Sequence, residues 1–152
     1  MVVTGFLRRV GKVIVGGCVV ATFIDTIGHP AAVTGSSMLP TLQGASPSIM
    51  ERDFVWLSTR QAMKPQIGSI MTMTSPRDSK TVLIKRITAL ENHIVRRKPT
   101  GEVFVIPEGQ CWVESDNENN ANDSNIFGPV SYGLIRAKAT RIIWPPSRWQ
   151  KL

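Results

Sequence analysis

A serine hydroxyl attacks a carbonyl only when a neighbouring base takes its proton. Ser37 is the serine best placed to do so. It lies in Gly35-Ser36-Ser37-Met38-Leu39-Pro40-Thr41, where glycine allows tight turning and proline stiffens the exit. A hydroxyl on such a turn has backbone N–H groups beside it, although serine-rich loops are commonly only linkers. Histidine is the usual base. His29 follows an apolar segment, and His93 has only Glu91 as an acidic neighbour. Lysine is the alternative, provided that it is neutral. In the run Thr81 to Ile87, strand alternation puts Leu83, Lys85 and Ile87 on one face. Apolar surroundings disfavour the ammonium form. Lowering a lysine pKa from about 10.4 to roughly 7–8 costs about 3–4 kcal/mol. Pattern alone favours a strand lysine whose head reaches water. Lys64, Lys80, Lys98 and Lys138 lie in more polar settings and read as solvated.

The elements that must position these groups follow from the hydrophobic pattern. Val13 to Ile24 is apolar without a break, preceded by Arg8, Arg9 and Lys12 and followed by Asp25. A membrane span needs about 20 residues, reached if Val10, Gly11 and Ile27 join the run and Lys12 snorkels. A cleaved secretory signal and a soluble core helix compete with a retained anchor. The reading taken is a basic flank over residues 1–12, a transmembrane anchor over 13–28 and a catalytic domain over 33–152. The positive flank then stays inside. Strands are expected near Phe54 to Leu57, Ile67 to Met73, Thr81 to Ile87, His93 to Arg97, Val103 to Ile106, Cys111 to Val113 and Ala137 to Trp144. Short strands between Gly, Pro and Asn turns predict a mainly β, all-β catalytic domain. Ser115 to Asn125 is wholly polar apart from Ala121 and reads by composition as a mobile surface loop. Trp144 and Trp149 fit a membrane interface, a partner contact or the core, with the core as the default.

Composition excludes several classes. The net charge is +7, from 18 Lys+Arg against 11 Asp+Glu. The basic runs are short, and no stripe interleaved with aromatics marks a nucleic-acid binder. The two cysteines, Cys18 and Cys111, make no disulfide framework, and no Cys/His cluster suggests zinc.

Taken together, these residues resemble the type I signal peptidase family. Ser37-Met38-Leu39-Pro40-Thr41 is similar to its nucleophile box. Lys85-Arg86-Ile87 is similar to the box that carries its base. Ser115-Asp116-Asn117, continued by Asp123-Ser124 and Gly128-Pro129-Val130, is similar to its third box, and Asp53-Phe54-Val55 to a short stretch between the first two. The boxes occur in family order over residues 35–130. The resemblance implies a Ser37–Lys85 dyad without metal or organic cofactor. It implies an oxyanion site built from backbone N–H groups helped by Ser36. Arg86 is expected to pair with Asp123, and Asp53 to support the site. Gly35 replaces an oxyanion-binding serine of the bacterial enzymes. Ala121 stands where those enzymes place the serine that orients the base, Leu90-Glu91-Asn92 replaces a Pro-Gly-Asp element, and Asn125 replaces an arginine.

The small size and the stretches Gly128 to Ile135 and Ile143 to Leu152 are similar to the mitochondrial inner-membrane branch of that family. That likeness implies a single-pass protein facing the intermembrane space, a second catalytic subunit as heterodimer partner, and substrates bearing sorting signals. The competing readings are a catalytically silent β-domain scaffolding a partner protease, and a self-cleaving repressor-like protease. The latter needs a DNA-binding domain ahead of the serine, where this chain reads as an anchor.

Overall fold

The computed structural model describes residues 28–152, together with Gly17 and Thr22, both helical. The expected anchor over 13–28 otherwise lies outside the described residues, as does Cys18. Among the described residues no helix is long and apolar enough to cross a membrane.

The domain is mainly β. Its principal sheet is a curled antiparallel one with strand order β1-β2-β9-β3-β4-β7-β8, and β10 adds to β9. The strands are β1 (His29–Ala32), β2 (Phe54–Ser58), β3 (Ile70–Thr74), β4 (Val82–Ala89), β7 (Gln110–Glu114), β8 (Val130–Ser131), β9 (Ile135–Trp144) and β10 (Gln150–Lys151). A separate hairpin joins β5 (Ile94–Arg96) to β6 (Val103–Val105). Every expected strand is present within a few residues of its predicted bounds. The β1, β8 and β10 strands are additional: His29-Pro30-Ala31-Ala32 carries no β-branched residue to announce the first, and the other two are only two residues long.

The ten-residue β9 is the spine, pairing with β2, β3 and β10. It buries Ala137, Ala139 and Ile142. The step of three from Ala139 to Ile142 breaks strict alternation. Its cause is a bulge, in which Trp56 opposes Arg141 while Leu57 opposes Ala139, so that Thr140 is the extra residue. Bulges bend a strand and increase twist, and this one helps the sheet to curl. β3 has Ile70, Met71, Thr72 and Met73 all buried, as a strand covered on both faces requires.

Three clusters fill the interior. One joins Val33, Met38 and Leu42 to Val55, Leu57, Ile70 and Ile142. A second holds Met71, Met73, Ile87, Cys111, Val113 and Val130. Burial pushes the Cys111 thiol up to about 12, so the side chain acts as a small apolar filler. The third packs Trp112 against Ala89, Ile106 and Phe104. Trp144 and Trp149 do not join the core; they are 37% and 67% exposed. Their indole N–H groups donate instead to the carbonyls of Met50 and Ile143, which leaves the ring faces outside.

The segment carrying Ser37 is a loop closed at its neck. Gly35 N–H donates to Gly44 O at 3.0 Å, and Gly35 has φ +82°, a conformation that favours glycine. A β-carbon on Gly44 would lie 2.5 Å from Gly35 O and 2.9 Å from Val33 Cγ1. Gly44→Ala is therefore expected to cost about 1–3 kcal/mol through overpacking, read as a lower unfolding midpoint of the full chain in detergent. An unchanged midpoint would show that the neck relaxes freely.

Candidate active site

The loop between Gly35 and Gly44 is held from inside by its apolar residues. Met38 and Leu42 are fully buried in the first cluster, and Leu42 N–H donates to Met38 O at 2.8 Å. Ser37, next to Met38, is half-buried with its hydroxyl turned toward β4.

Lys85 comes from β4, opposite Met71 of β3. Alternation along β4 places Lys85, Ile87 and Ala89 inward, as the sequence pattern predicts. Lys85 is only 2% exposed, so it does not snorkel to water. Its Nζ donates to Ser37 Oγ across 2.8 Å. Burial lowers its pKa, and the charges of Asp123 and Asp116 offset only part of that effect.

Three polar clamps fix this pair. The first comes from the polar stretch after β7. Asn117 N–H donates to Ser37 O at 2.9 Å, Asn117 Nδ2 donates to Ser36 O at 2.9 Å, and Asn120 Nδ2 donates to Ser36 Oγ at 2.7 Å. The stretch read by composition as a mobile loop thus holds the nucleophile turn, and Ser115, Asp123 and Ser124 within it are buried.

The second clamp is Arg86. Its guanidinium grips Asp116 with two bonds of 2.8 and 2.7 Å and donates to Gly68 O at 2.8 Å. The expected pairing of Arg86 with Asp123 is corrected by this geometry. Arg86 lies opposite Glu114 in the β4–β7 register, and period-two alternation carries Asp116 onto the same side. Asp123 is occupied elsewhere: its oxygens accept from Ser115 N–H at 2.9 Å and Asn125 N–H at 3.0 Å, capping the helical turn Ser124–Phe127. Burial would raise the Asp116 carboxyl, but its bonds to Arg86 and Thr41 outweigh burial and hold it below the usual range.

The third clamp joins distant parts of the chain. Asp53 is fully buried and accepts from Gln43 N–H at 2.7 Å. Arg148 donates to both its oxygens at 2.8 and 3.0 Å, and to Thr41 O at 3.1 Å. Asp53 was expected to support the site, whereas Arg148 had no local signal, being 95 residues away in sequence.

Beside the pair is a cavity of about 220 Å³ whose lining includes Ala31, Val33, Ser37, Leu57, Ile84 and Lys85. Two strand edges border it. Among the described residues, β1 pairs only with β2 and β4 pairs with β7 only from Arg86 onward, so the stretch from Val82 to Lys85 keeps one edge open there.

Residues 7–105 match the family described as signal peptidase, peptidase S26. The chain belongs to that family and is a hydrolase of the signal-peptidase, serine-protease type. Among named relatives, it is 43% identical over 138 residues to mitochondrial inner membrane protease subunit 2 of Mus musculus, covering 88% of this chain and 77% of that one. Subunit 2 of Danio rerio is 37% identical over 161 residues, covering 100% and 86%. Subunit 1 of Mus musculus is 32% identical over 142 residues, covering 91% and 82%.

Two outcomes follow from the geometry. The Lys85 pKa is lowered from 10.5 on folding, so between the folded value and 10.5 the unfolded chain binds more protons and stability rises with pH across that window. Lys85→Met is expected to be more stable than wild type at neutral pH, by about 1–4 kcal/mol, with the gap narrowing as pH approaches 10.5. Denaturant unfolding across pH measures it, and a constant gap would contradict the account. For the third clamp, Arg148→Ala, Asp53→Asn and the double variant form a cycle whose expected coupling is about 0.5–3 kcal/mol. Strict additivity would mean that the two side chains act independently.

Proposed function

We propose that this chain is a membrane-anchored endopeptidase that uses Ser37 as nucleophile and neutral Lys85 as general base to remove sorting signal peptides. The observation that carries this reading is the 2.8 Å approach of Lys85 Nζ to Ser37 Oγ at a lysine that is 2% exposed. A lysine acts as a base only when burial suppresses its charge. Lys85 takes the Ser37 proton as the hydroxyl oxygen bonds to the scissile carbonyl carbon. The proton then passes to the leaving amine as the peptide bond breaks. Lys85 next activates a water that releases the acyl group and regenerates Ser37.

The oxyanion is assigned to the Ser37 backbone N–H, assisted by the Ser36 hydroxyl. Ser36 Oγ already accepts from Asn120, which turns its own proton outward. Such donors are worth about 2.7–4 kcal/mol each. Arg86, Asp116, Asp123 and Asp53 are assigned to the supporting framework.

The substrate is assigned to the cavity between the β1 and β4 edges, lying extended with main-chain hydrogen bonds to open strand. The cavity size and the lining by Ala31, Val33, Leu57 and Ile84 suit small apolar side chains at the cut. Residues 13–28 anchor the domain, and residues 33–152 form the catalytic unit. The relatives named as mitochondrial inner membrane protease subunits support a place in the mitochondrial inner membrane, facing the intermembrane space, with a second subunit as partner. A silent scaffold would have no use for a desolvated lysine aimed at a serine.

Ser37→Ala and Lys85→Ala in the assembled protease are each expected to lower precursor processing by about a thousandfold or more, with the chain still folded and inserted. Cleavage of a sorting-signal precursor by Lys85→Ala at near wild-type rate would remove the dyad.

A further inference from the structure

A neutral lysine that accepts the Ser37 proton keeps two N–H bonds of its own, and the ammonium formed in the transition state has three. Inside a protein such donors need acceptors. Among the described residues the only hydrogen-bond partner of Lys85 Nζ is Ser37 Oγ. At the position where the bacterial enzymes of the family orient their base, this chain has Ala121, which offers no side-chain acceptor.

Another observation answers the need. Ser115 is 7% exposed, and its buried Oγ has no hydrogen-bond partner among the described residues. A buried hydroxyl without a partner is destabilising, so it calls for an explanation. The sheet register supplies one. Arg86 opposes Glu114 and Ile87 opposes Val113 in the antiparallel β4–β7 pair. One step further along the same register, Lys85 faces Ser115. Cross-strand partners project to the same face. The inward burial of Ile87 and Val113 identifies that face as the one carrying Lys85. Ser115 is also pinned at its backbone, where its N–H donates to Asp123 Oδ2 at 2.9 Å, leaving only the hydroxyl to turn.

We infer that Ser115 is the positioning residue for the base: its Oγ accepts an N–H of Lys85 and aims the lone pair of that amine at the Ser37 hydroxyl. This rests on the Ser37–Lys85 reading above and supplies its missing part. No proton is exchanged with Ser115. The other charged groups around Lys85 are Asp123 and Asp116, which favour its ammonium form, and the adjoining Arg86, which is neutralised by Asp116.

The test is the pH dependence of precursor or peptide cleavage by the assembled full-chain protease, for wild type, Ser115→Ala, Ser115→Thr and Lys85→Ala. Ser115→Ala is expected to lower kcat about 10–100-fold, as loss of base alignment does, with KM little changed. Its acid limb should move to lower pH, because an acceptor that favoured the ammonium has gone. Ser115→Thr, which restores the hydroxyl, should recover most of the rate and the wild-type limb. Wild-type kcat and limb in Ser115→Ala, with Lys85→Ala inactive, would overturn the role of Ser115 and leave the dyad standing. A fall in kcat with an unmoved limb and no rescue by threonine would also overturn it, as a packing effect. An active Lys85→Ala would remove the dyad itself and the inference with it.

Discussion

The removal of one lysine from water is the constraint on which the rest of this structure turns. An amine 2% exposed beside a hydroxyl is costly to keep charged, and the fold bears that cost through its geometry. β3 and β7 flank β4, and the neighbours on the inward face, Ile87 and Val113, are fully buried. Carboxylates stand near enough to moderate the effect without reaching the amine: Asp116 is held by Arg86, and Asp123 by backbone amides. Were either free to pair directly with Lys85, the ammonium form would be stabilised and the base lost.

The second requirement is a hydroxyl that stays in place. The loop bearing Ser37 has little secondary structure, so its order comes from outside it. Met38 and Leu42 fasten it to the core. The asparagines after β7 hold its carbonyls, and Arg86 and Arg148 reach Thr41. These contacts arrive from β4, from the segment beyond β7 and from the turn after β9. The loop therefore serves as a junction where otherwise separate parts of the sheet meet.

Much of this was legible in the residues. Period-two alternation put Lys85 on one face with Leu83 and Ile87 and Arg86 on the other; burial of the lysine head was implied only by the family resemblance, because pattern alone favours a head in water. The strands of the sheet followed from β-branched runs between turn residues. What failed did so for identifiable reasons. Composition alone makes Ser115 to Asn125 a loose loop, because it contains nothing to bury in an oil-like core, and only the family resemblance marks it as part of the site; the segment is ordered by hydrogen bonds, to which hydropathy is blind. The Arg86 partner was taken as Asp123, although counting alternation from Glu114 points to Asp116. For Trp144 and Trp149 residue type offers the core as the default among three placements, whereas the exposed end of β9 and the turn before β10 leave them outside. Arg148 and β1 could not be found locally, since each is defined by a partner far along the chain.

The Asp53–Arg148 contact carries a temporal consequence. Ser37 and Lys85 both precede Arg148 in the chain, and the latch on Thr41 and Asp53 closes only when Arg148 arrives, 95 residues after Asp53. During synthesis Ser37 and Lys85 are made before the residue that steadies the Ser37 loop. A chain built in that order holds the loop by its asparagine and apolar contacts first and gains its last fastening only when its C-terminal turn is complete.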